Sequence, residues 1–139
     1  MCRLFINADT VLWESVTRSL RIDGMATSVR LENFFWSVLE DIGGRDGLTV
    51  SQLIARLYNE SIDEGYDLDN FASFLRVCCG RYLTLQLDGD LSTDPNEPIR
   101  CVDADGILAR ERARNTARQR ARDARASESA IGRTAALTS

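Results

Sequence analysis

The sequence contains neither histidine nor lysine among its 139 residues. Histidine is the commonest general base and a frequent metal ligand, so its absence excludes Ser-His and Cys-His catalytic pairs. Without lysine there is neither Schiff-base chemistry nor the phosphate-binding lysine of a P-loop. These absences predict a protein that is not an enzyme and that carries no cofactor.

Long apolar runs and paired zinc ligands are also missing. No stretch of 18 or more residues is apolar throughout, so the sequence predicts no membrane span. The first residues lack the apolar core and the cleavage site of a signal peptide, which predicts a cytoplasmic protein. The cysteines form no C-x-x-C pair, so we expect reduced thiols and no metal site. These cysteines are Cys2, Cys78, Cys79 and Cys101.

Charge is distributed unevenly along the chain. Residues 1–106 carry nine arginines against eighteen carboxylates, a net charge of −9, whereas residues 107–139 carry eight arginines against three carboxylates, a net charge of +5. In the basic part arginine and alanine each recur every four residues, and large apolar side chains are rare. We therefore expect a tail at 107–139 that is disordered or marginally helical. It follows a predicted linker at 88–106, which contains both prolines.

Residues 17–31 have the alternation of a β-hairpin. Asp23-Gly24 lies between two alternating segments and is a strong sequence signal for a two-residue type I′ turn. In the register that this turn sets, one face of the hairpin is apolar and the other is polar and basic. The apolar face carries Leu20, Ile22, Met25, Val29 and Leu31, and the polar face carries Ser19, Arg21, Ala26, Ser28 and Arg30.

Three helical patterns follow the hairpin. The first begins after Leu31 and ends at Gly43-Gly44. The second begins with the S/T-x-x-E/Q capping box Thr49-Val50-Ser51-Gln52 and ends near residues 59–61. The third is capped by Asp69 or Asn70. The fold class predicted from these patterns is mainly α with a short β ribbon.

This order of strand, helix, glycine-containing turn and helix resembles the ribbon-helix-helix family. The resemblance covers roughly residues 18–83 and includes a bacterial variant of the family with an additional C-terminal helix. The matching residues are Thr27–Leu31 in the strand, Phe35-Trp36, Leu39 and Ile42 in the first helix, Gly47-Leu48-Thr49 and Leu53-Ile54 in the turn and second helix, and Asn70, Ser73, Leu75–Val77 and Tyr82 in the third helix.

The resemblance implies an intertwined homodimer, and two dimers associating remains an open alternative. One strand with one apolar face is not stable alone, so we expect two chains to pair their strands over a shared core. The predicted domain spans 17–87, with an extra hairpin strand, after an N-terminal strand or extension at 1–16. The predicted dimer core consists of Val29, Leu31, Phe35, Leu39, Ile42, Leu53, Ile54 and Leu57.

The resemblance also implies binding to double-stranded DNA, because a two-stranded ribbon fits the major groove. Carried over by position, the base-contacting residues are Ala26, Ser28 and Arg30, and Arg21 lies on the same polar face. The hydroxyls of Thr49 and Ser51, at the start of the second helix, would hold a backbone phosphate. The function predicted is that of a nucleoid-associated, sequence-specific transcriptional regulator.

Three features argue against DNA binding and keep an alternative open. The body is acidic, Ala26 is a short side chain, and the extra strand would widen the ribbon. The alternative is a dimeric interaction module or antitoxin whose Arg-rich tail binds a protein partner. The opening Met1–Phe5 resembles the N-terminal-cysteine amidotransferases, whose domains are larger than this chain; we interpret Cys2, Leu4 and Ile6 as one face of a short strand.

Overall fold

The computed structural model describes residues 2–67 and 69–138, apart from the side chain of Thr138. The chain forms two compact units, Met1–Val102 and Asp103–Ser139. The described part of the second unit is helix α5 (Ala104–Thr138). None of the helices within the described residues is both long and apolar enough to span a membrane.

The first unit begins with an N-terminal arm, residues 2–13, which precedes a hairpin and three longer helices. The arm contains helix α1 (Cys2–Ile6) and a 3-10 turn (Thr10–Trp13). Strands β1 (Ser15–Ile22) and β2 (Met25–Glu32) form a two-stranded antiparallel sheet, and helices α2 (Asn33–Arg45), α3 (Val50–Asp63) and α4 (Phe71–Leu87) follow. The predicted class, mainly α with a short ribbon and a third helix, is confirmed.

The hairpin has the predicted turn and register. Asp23 and Gly24 have φ angles of 52° and 78°, the two positive values that a type I′ turn requires. Ile22 pairs with Met25, and the pairing continues to Ser15 and Glu32. Four of the five predicted apolar-face residues are buried, whereas Met25, beside the turn at the tip of the hairpin, is 73% exposed.

The core joins the hairpin to α2, and Trp36 lies at its centre. Its side chain is 1% exposed, and its indole nitrogen donates a hydrogen bond to the carbonyl of Val16 at 3.0 Å. The guanidinium of Arg18 lies 4.5 Å from the centre of the indole ring and also bonds Glu40 on α2. Trp36 therefore fixes β1 to α2 within one chain.

Most of the predicted dimer core is buried inside a single chain. Five of its eight residues are buried, because β1 supplies the second strand that we expected from a partner. The remaining three, Phe35, Ile42 and Leu57, are half-buried. The five buried residues are Val29, Leu31, Leu39, Leu53 and Ile54.

Both predicted helix caps are confirmed, and they place the starts of α3 and α4. Thr49 accepts a hydrogen bond from the amide of Gln52, whose side chain in turn accepts one from the amide of Thr49. The side chain of Asn70 accepts from the amide of Ser73 at 3.1 Å. Helix α3 ends at Asp63, two residues beyond the predicted range.

Residues 88–102, the first part of the predicted linker 88–106, pack against the end of α2. The guanidinium of Arg45 is buried and donates to the carbonyls of Ser92 and Glu97, both at 2.8 Å. Asp46 accepts from the amide of Ile99 at 2.8 Å. The loop is therefore held in place through its own backbone groups. Every residue has such groups, so the polar and proline-containing composition of the loop does not reveal these contacts.

The first and the last segments of the described chain are helical. Residues Cys2–Ile6 form α1 and not the predicted strand; an isolated strand has no partner for its amides, whereas a helical turn bonds internally, as in Asn7 N to Arg3 O at 3.0 Å. The tail, expected to be disordered or marginally helical, is helical in α5 from Ala104, within the predicted linker, to Thr138.

Gly43 is required where α2 passes the next loop. A Cβ at this position would lie 2.8 Å from the backbone carbonyl oxygen of Leu48, whereas a Cβ at Gly44 would meet nothing within 4 Å. We expect Gly43→Ala to lower the free energy of unfolding by about 1–3 kcal/mol, because a backbone atom must shift. Gly44→Ala should raise it by up to about 1 kcal/mol through helix propensity.

Urea unfolding of the two variants, followed by circular dichroism, checks this pair. The substitutions are chemically identical and neighbouring, so helix propensity affects both alike. Equal midpoints for the two variants would contradict the close approach of α2 to the Leu48 carbonyl.

Candidate nucleic-acid interface

The side of the hairpin that faces away from the helices forms a continuous polar surface. Strand alternation places every second residue of β1 and β2 on this side, and all of those from Ser15 to Arg30 are exposed. The first 15 residues of the two strands contain no carboxylate; only Glu32, the last, is acidic. We call this surface the ribbon face and define it as Thr17, Ser19, Arg21, Ala26, Ser28 and Arg30.

The structure brings four of the six predicted DNA-binding residues together on the ribbon face. Arg21 lies directly across from Ala26, and Ser28 and Arg30 follow at alternate positions along β2. The Arg21 guanidinium makes one long hydrogen bond, 3.5 Å, to the carbonyl of Gly24. A guanidinium has five N–H donors, so Arg21 keeps donors for a ligand.

The predicted phosphate contacts lie on another element. Thr49 and Ser51 are exposed at the start of α3, where the first helical amides have no partner within the helix. The side chain of Asn59, ten residues further along α3, donates to Asp23 in the hairpin turn at 3.2 Å. The start of α3 is therefore about 15 Å along the helix axis from the turn. The role of Thr49 and Ser51 in phosphate binding stays a prediction.

Glu32 lies at the end of β2, next to the ribbon face, and a bidentate ion pair neutralises the charge of its carboxylate. The Nε and Nη2 atoms of Arg76 donate to the two carboxylate oxygens of Glu32 at 2.9 and 3.0 Å. The Arg76 guanidinium holds the pKa of Glu32 below its ordinary value of 4.5. This pair fixes α4 to the end of β2, and nothing in the sequence predicts it, because its members are 44 residues apart.

The Glu32–Arg76 pair makes stability depend on pH in a defined direction. Because the pKa is lowered on folding, the pair stabilises the folded chain above about pH 4.5 and loses this effect as the pH falls through the lowered pKa. We expect Glu32→Gln to cost at most about 1 kcal/mol at pH 7, the range of partly exposed pairs, and less at pH 3.

Urea titrations at pH 7 and pH 3 measure this difference, with Glu40→Gln as the matched control. Glu40 bonds Arg18 through a single contact at 3.2 Å between two more exposed side chains. A Glu32→Gln effect that persists unchanged at pH 3 would contradict the role of the ion pair.

The ribbon face is separate from the acidic residues that dominate the first unit. The eighteen carboxylates of residues 1–106 lie in the arm, the turn, the helices and the loops, with Glu32 as the single strand residue. The net negative charge of residues 1–106 therefore does not describe the ribbon face, because a phosphate that approaches this face comes closest to Arg21 and Arg30. A second basic surface lies on α5, where Arg110, Arg114, Arg118 and Arg122 follow one another at one-turn spacing.

The four thiols differ in burial within the described part of the chain. Burial raises the pKa of the Cys79 thiol to about 12, and its sulfur lies 3.6 Å from the carbonyl oxygen of Phe35. Cys2 and Cys101 are exposed, and Cys78 is half-buried. Within the described residues no group of three potential ligands surrounds a common point.

This architecture is similar to that of known proteins. The family model described as "Ribbon-helix-helix domain" matches residues 15–83, from the start of β1 almost to the end of α4. A solved structure of an uncharacterized protein from Bordetella pertussis Tohama I is similar, with 51% sequence identity and a TM-score of 0.74. The match covers 78% of this chain and 86% of that one. No curated protein matches the chain.

Proposed function

Because the chain belongs to the ribbon-helix-helix family, we propose that it is a sequence-specific transcriptional regulator that binds double-stranded DNA as a homodimer. The family is one of DNA-binding, regulator-type proteins whose domains generally form dimers. We further propose that the chain is not an enzyme, since it has no histidine or lysine to act as a base or nucleophile.

The observation that carries the proposal is the composition of the ribbon face. Arg30 can donate two parallel hydrogen bonds to the O6 and N7 atoms of a guanine, which is the commonest specific contact in the major groove. Ser28 can donate to or accept from several bases, and the methyl group of Ala26 can contact a thymine methyl. Two strands about 4.8 Å apart fit a groove about 12 Å wide.

Binding-site selection from random duplexes tests sequence specificity and requires no assumption about the target. The full chain, immobilised through a C-terminal tag, is incubated with random duplexes at near-physiological salt, and bound duplexes are amplified and sequenced over several rounds. We expect one motif to be enriched. Bound pools that stay random while the chain retains duplexes at low salt would mean that binding is electrostatic alone, which contradicts the proposal.

The N-terminal arm supports a homodimer. Six large apolar side chains of the arm are 41–77% exposed. Together they expose roughly 700 Å², if the area of one fully exposed large side chain is about 200 Å². A standard protein interface buries about 800 Å² on each partner, so the apolar area that the arm exposes is of the size that a partner chain would cover. The six residues are Leu4, Phe5, Ile6, Val11, Leu12 and Trp13.

We expect removal of residues 2–13 to convert the dimer into a monomer. The deletion leaves the core intact, since α1 and the 3-10 turn contain no buried residue. Sedimentation equilibrium of the full and shortened chains gives the oligomeric state. Leu87→Ser, which alters a similarly exposed apolar residue at the end of α4, is the control and should stay dimeric.

A dimer that survives loss of the arm would show that the chains associate elsewhere. The free edge of β2 is then the next surface to test, through proline substitution at Ser28, because proline cannot donate to a strand from a second chain.

A second candidate function rests on α5. This helix forms a unit of its own, and its arginines would suit an acidic protein partner, as in an antitoxin, as well as a phosphate backbone. If α5 binds a protein, deletion of residues 104–139 abolishes capture of that partner and leaves the selected DNA motif unchanged. If α5 binds phosphates, the deletion weakens binding equally on every duplex and lowers the salt dependence.

A further inference from the structure

A cavity of about 420 Å³ lies within the first unit, between α2, α4 and the loop that follows α4. We call it the α2–α4 cavity. Binding sites for small molecules have volumes of about 300 to 1,000 Å³, so its size suits one such molecule. Asp41 and Arg45 of α2 supply charges to its lining, Tyr82 of α4 supplies a ring and a hydroxyl, and Leu83 and Pro95 supply apolar surface. The described residues that line it belong to neither strand of the hairpin.

Arg45 gives the cavity a cation that has no carboxylate partner in the described part of the chain. The residue is 5% exposed, and its Nε and Nη1 atoms donate to the carbonyls of Glu97 and Ser92. These carbonyls have no net charge, so the buried cation has no counter-charge. Nη2 has no hydrogen-bond partner among the described residues; since every fully buried polar side-chain atom there has one, Nη2 is in contact with open space. An anionic group can therefore reach it.

Asp41 gives the cavity an anion that is also unpaired among the described residues. It is exposed on α2, four residues before Arg45. Side chains at this spacing are neighbours, with Cβ atoms about 5–6 Å apart, and an acid and an arginine so placed commonly form an ion pair. Here the guanidinium bonds the loop carbonyls instead, and the neighbouring Glu40 bonds Arg18. The cavity therefore holds two opposite charges, one helical turn apart, that do not neutralise each other.

Tyr82 adds a hydroxyl group without a partner. The residue is 9% exposed, and its ring centre lies 5.9 Å from the central guanidinium carbon of Arg45. Its hydroxyl makes no hydrogen bond with the described residues, so this oxygen, like Nη2 of Arg45, is in contact with open space. The hydroxyl of a buried tyrosine usually has a partner. Two buried side chains with free donors thus line one cavity, and a carboxylate is the group that can accept from both.

We propose that the α2–α4 cavity binds a free α-amino acid. The carboxylate of the ligand accepts hydrogen bonds from Nη2 of Arg45 and from the hydroxyl of Tyr82, and its ammonium group donates to Asp41. A ligand whose two charges are close together matches two side chains one helical turn apart. A simple anion would be repelled by Asp41, and a simple cation would be repelled by Arg45. The inference goes beyond the proposed function and does not depend on DNA binding.

The apolar part of the lining predicts which amino acids bind best. Leu83 is 40% exposed, and Pro95 is exposed on the loop. An apolar side chain on the ligand would cover both residues and remove their surface from water. We therefore expect free leucine or phenylalanine to bind more tightly than free glycine, which offers no such surface. A ligand held in this way joins α2 to α4 and to the loop.

Thermal unfolding of the full chain with each common amino acid, added singly, identifies those that bind, and calorimetric titration then measures their Kd. Each one that binds is compared with its primary amide, which lacks the negative charge, and with its N-acetyl derivative, which lacks the positive charge. We expect at least one apolar amino acid to bind and both derivatives to bind about tenfold more weakly or less. If no amino acid binds, or if either derivative binds as well as its parent, the inference is wrong.

Asp41→Asn and Tyr82→Phe test whether the amino acid binds in this cavity. Neither substitution removes a hydrogen bond or an ion pair to another described residue, so both variants should fold as the wild type does. We expect each to weaken binding by about tenfold or more, because each removes one hydrogen bond to a charged group of the ligand. Asp63→Asn, the same change at the exposed end of α3, is the matched control and should leave the Kd unchanged. Undiminished binding by either cavity variant would overturn the inference.

Discussion

Arg30→Ala is expected to lower the preference of the chain for its selected duplex over a scrambled one by about 5- to 150-fold. Arg30 is exposed on the ribbon face and lies on the strand that leads directly into α2. One bidentate contact from arginine to guanine discriminates against a wrong base by about 1–3 kcal/mol. Competition titrations with unlabelled duplexes, at one fixed salt concentration, measure the ratio of the two affinities.

The control for Arg30→Ala removes one positive charge elsewhere in the first unit. Arg56 is exposed on α3, and Arg56→Ala changes net charge by the same amount without touching the ribbon face. Its affinity for the two duplexes should fall together, leaving their ratio unchanged. Equal ratios for Arg30→Ala and Arg56→Ala would mean that Arg30 supplies charge and no base recognition.

Trp36→Ala is expected to reduce the free energy of unfolding by about 3–5 kcal/mol, a large part of the stability of a domain of this size. The indole is buried, bonds the Val16 carbonyl and packs against the Arg18 guanidinium. Its removal leaves a cavity under β1 and an unpaired carbonyl. The strand that supplies half of the ribbon face would lose its attachment to α2.

Trp36→Phe separates packing from hydrogen bonding at this position. Phenylalanine keeps most of the apolar volume and loses the N–H donor, so we expect a cost nearer about 1–2 kcal/mol. Thermal and urea unfolding monitored by circular dichroism compare the two variants with the wild type. A Trp36→Ala variant as stable as Trp36→Phe would contradict the central place of Trp36 in the core.

The hairpin and its polar face were predictable from sequence because the information is local. The alternation of residues 17–31 and the Asp23-Gly24 turn define both register and faces, and the capping residues Thr49 and Asn70 mark two helix starts. Each of these features depends on neighbours within a few residues. The four ribbon residues predicted for DNA binding consequently lie together on one exposed face.

The composition of the core cannot be derived in the same way. Periodicity places the apolar stripe of α2 at Phe35, Val38, Leu39 and Ile42, with Trp36 beside it. In the structure β1 covers the Trp36 side of the helix, and Trp36 becomes more buried than Phe35 or Ile42. Which strand covers a helix is a long-range property that periodicity does not contain.

Side chains that bind backbone groups far along the chain are also beyond sequence reasoning. Arg45 looks like an ordinary arginine at a helix end, yet it is buried and bonds carbonyls 47 and 52 residues away. No sequence pattern identifies such a contact, because every residue has a backbone carbonyl that could accept the hydrogen bond. The arm is a separate case: the alternation of Cys2, Leu4 and Ile6 predicts a strand, but these residues lie in a helix.

The most direct test of DNA binding through the ribbon face is an anisotropy titration of the full chain with DNA from upstream of its own coding sequence. A scrambled duplex of equal length serves as the reference, at low and at near-physiological salt. We expect binding to the scrambled duplex to fall steeply with salt, whereas the preference for the upstream fragment persists and is lost in Arg30→Ala. Equal affinity for both duplexes at both salt concentrations, unchanged in Arg30→Ala, would contradict this expectation.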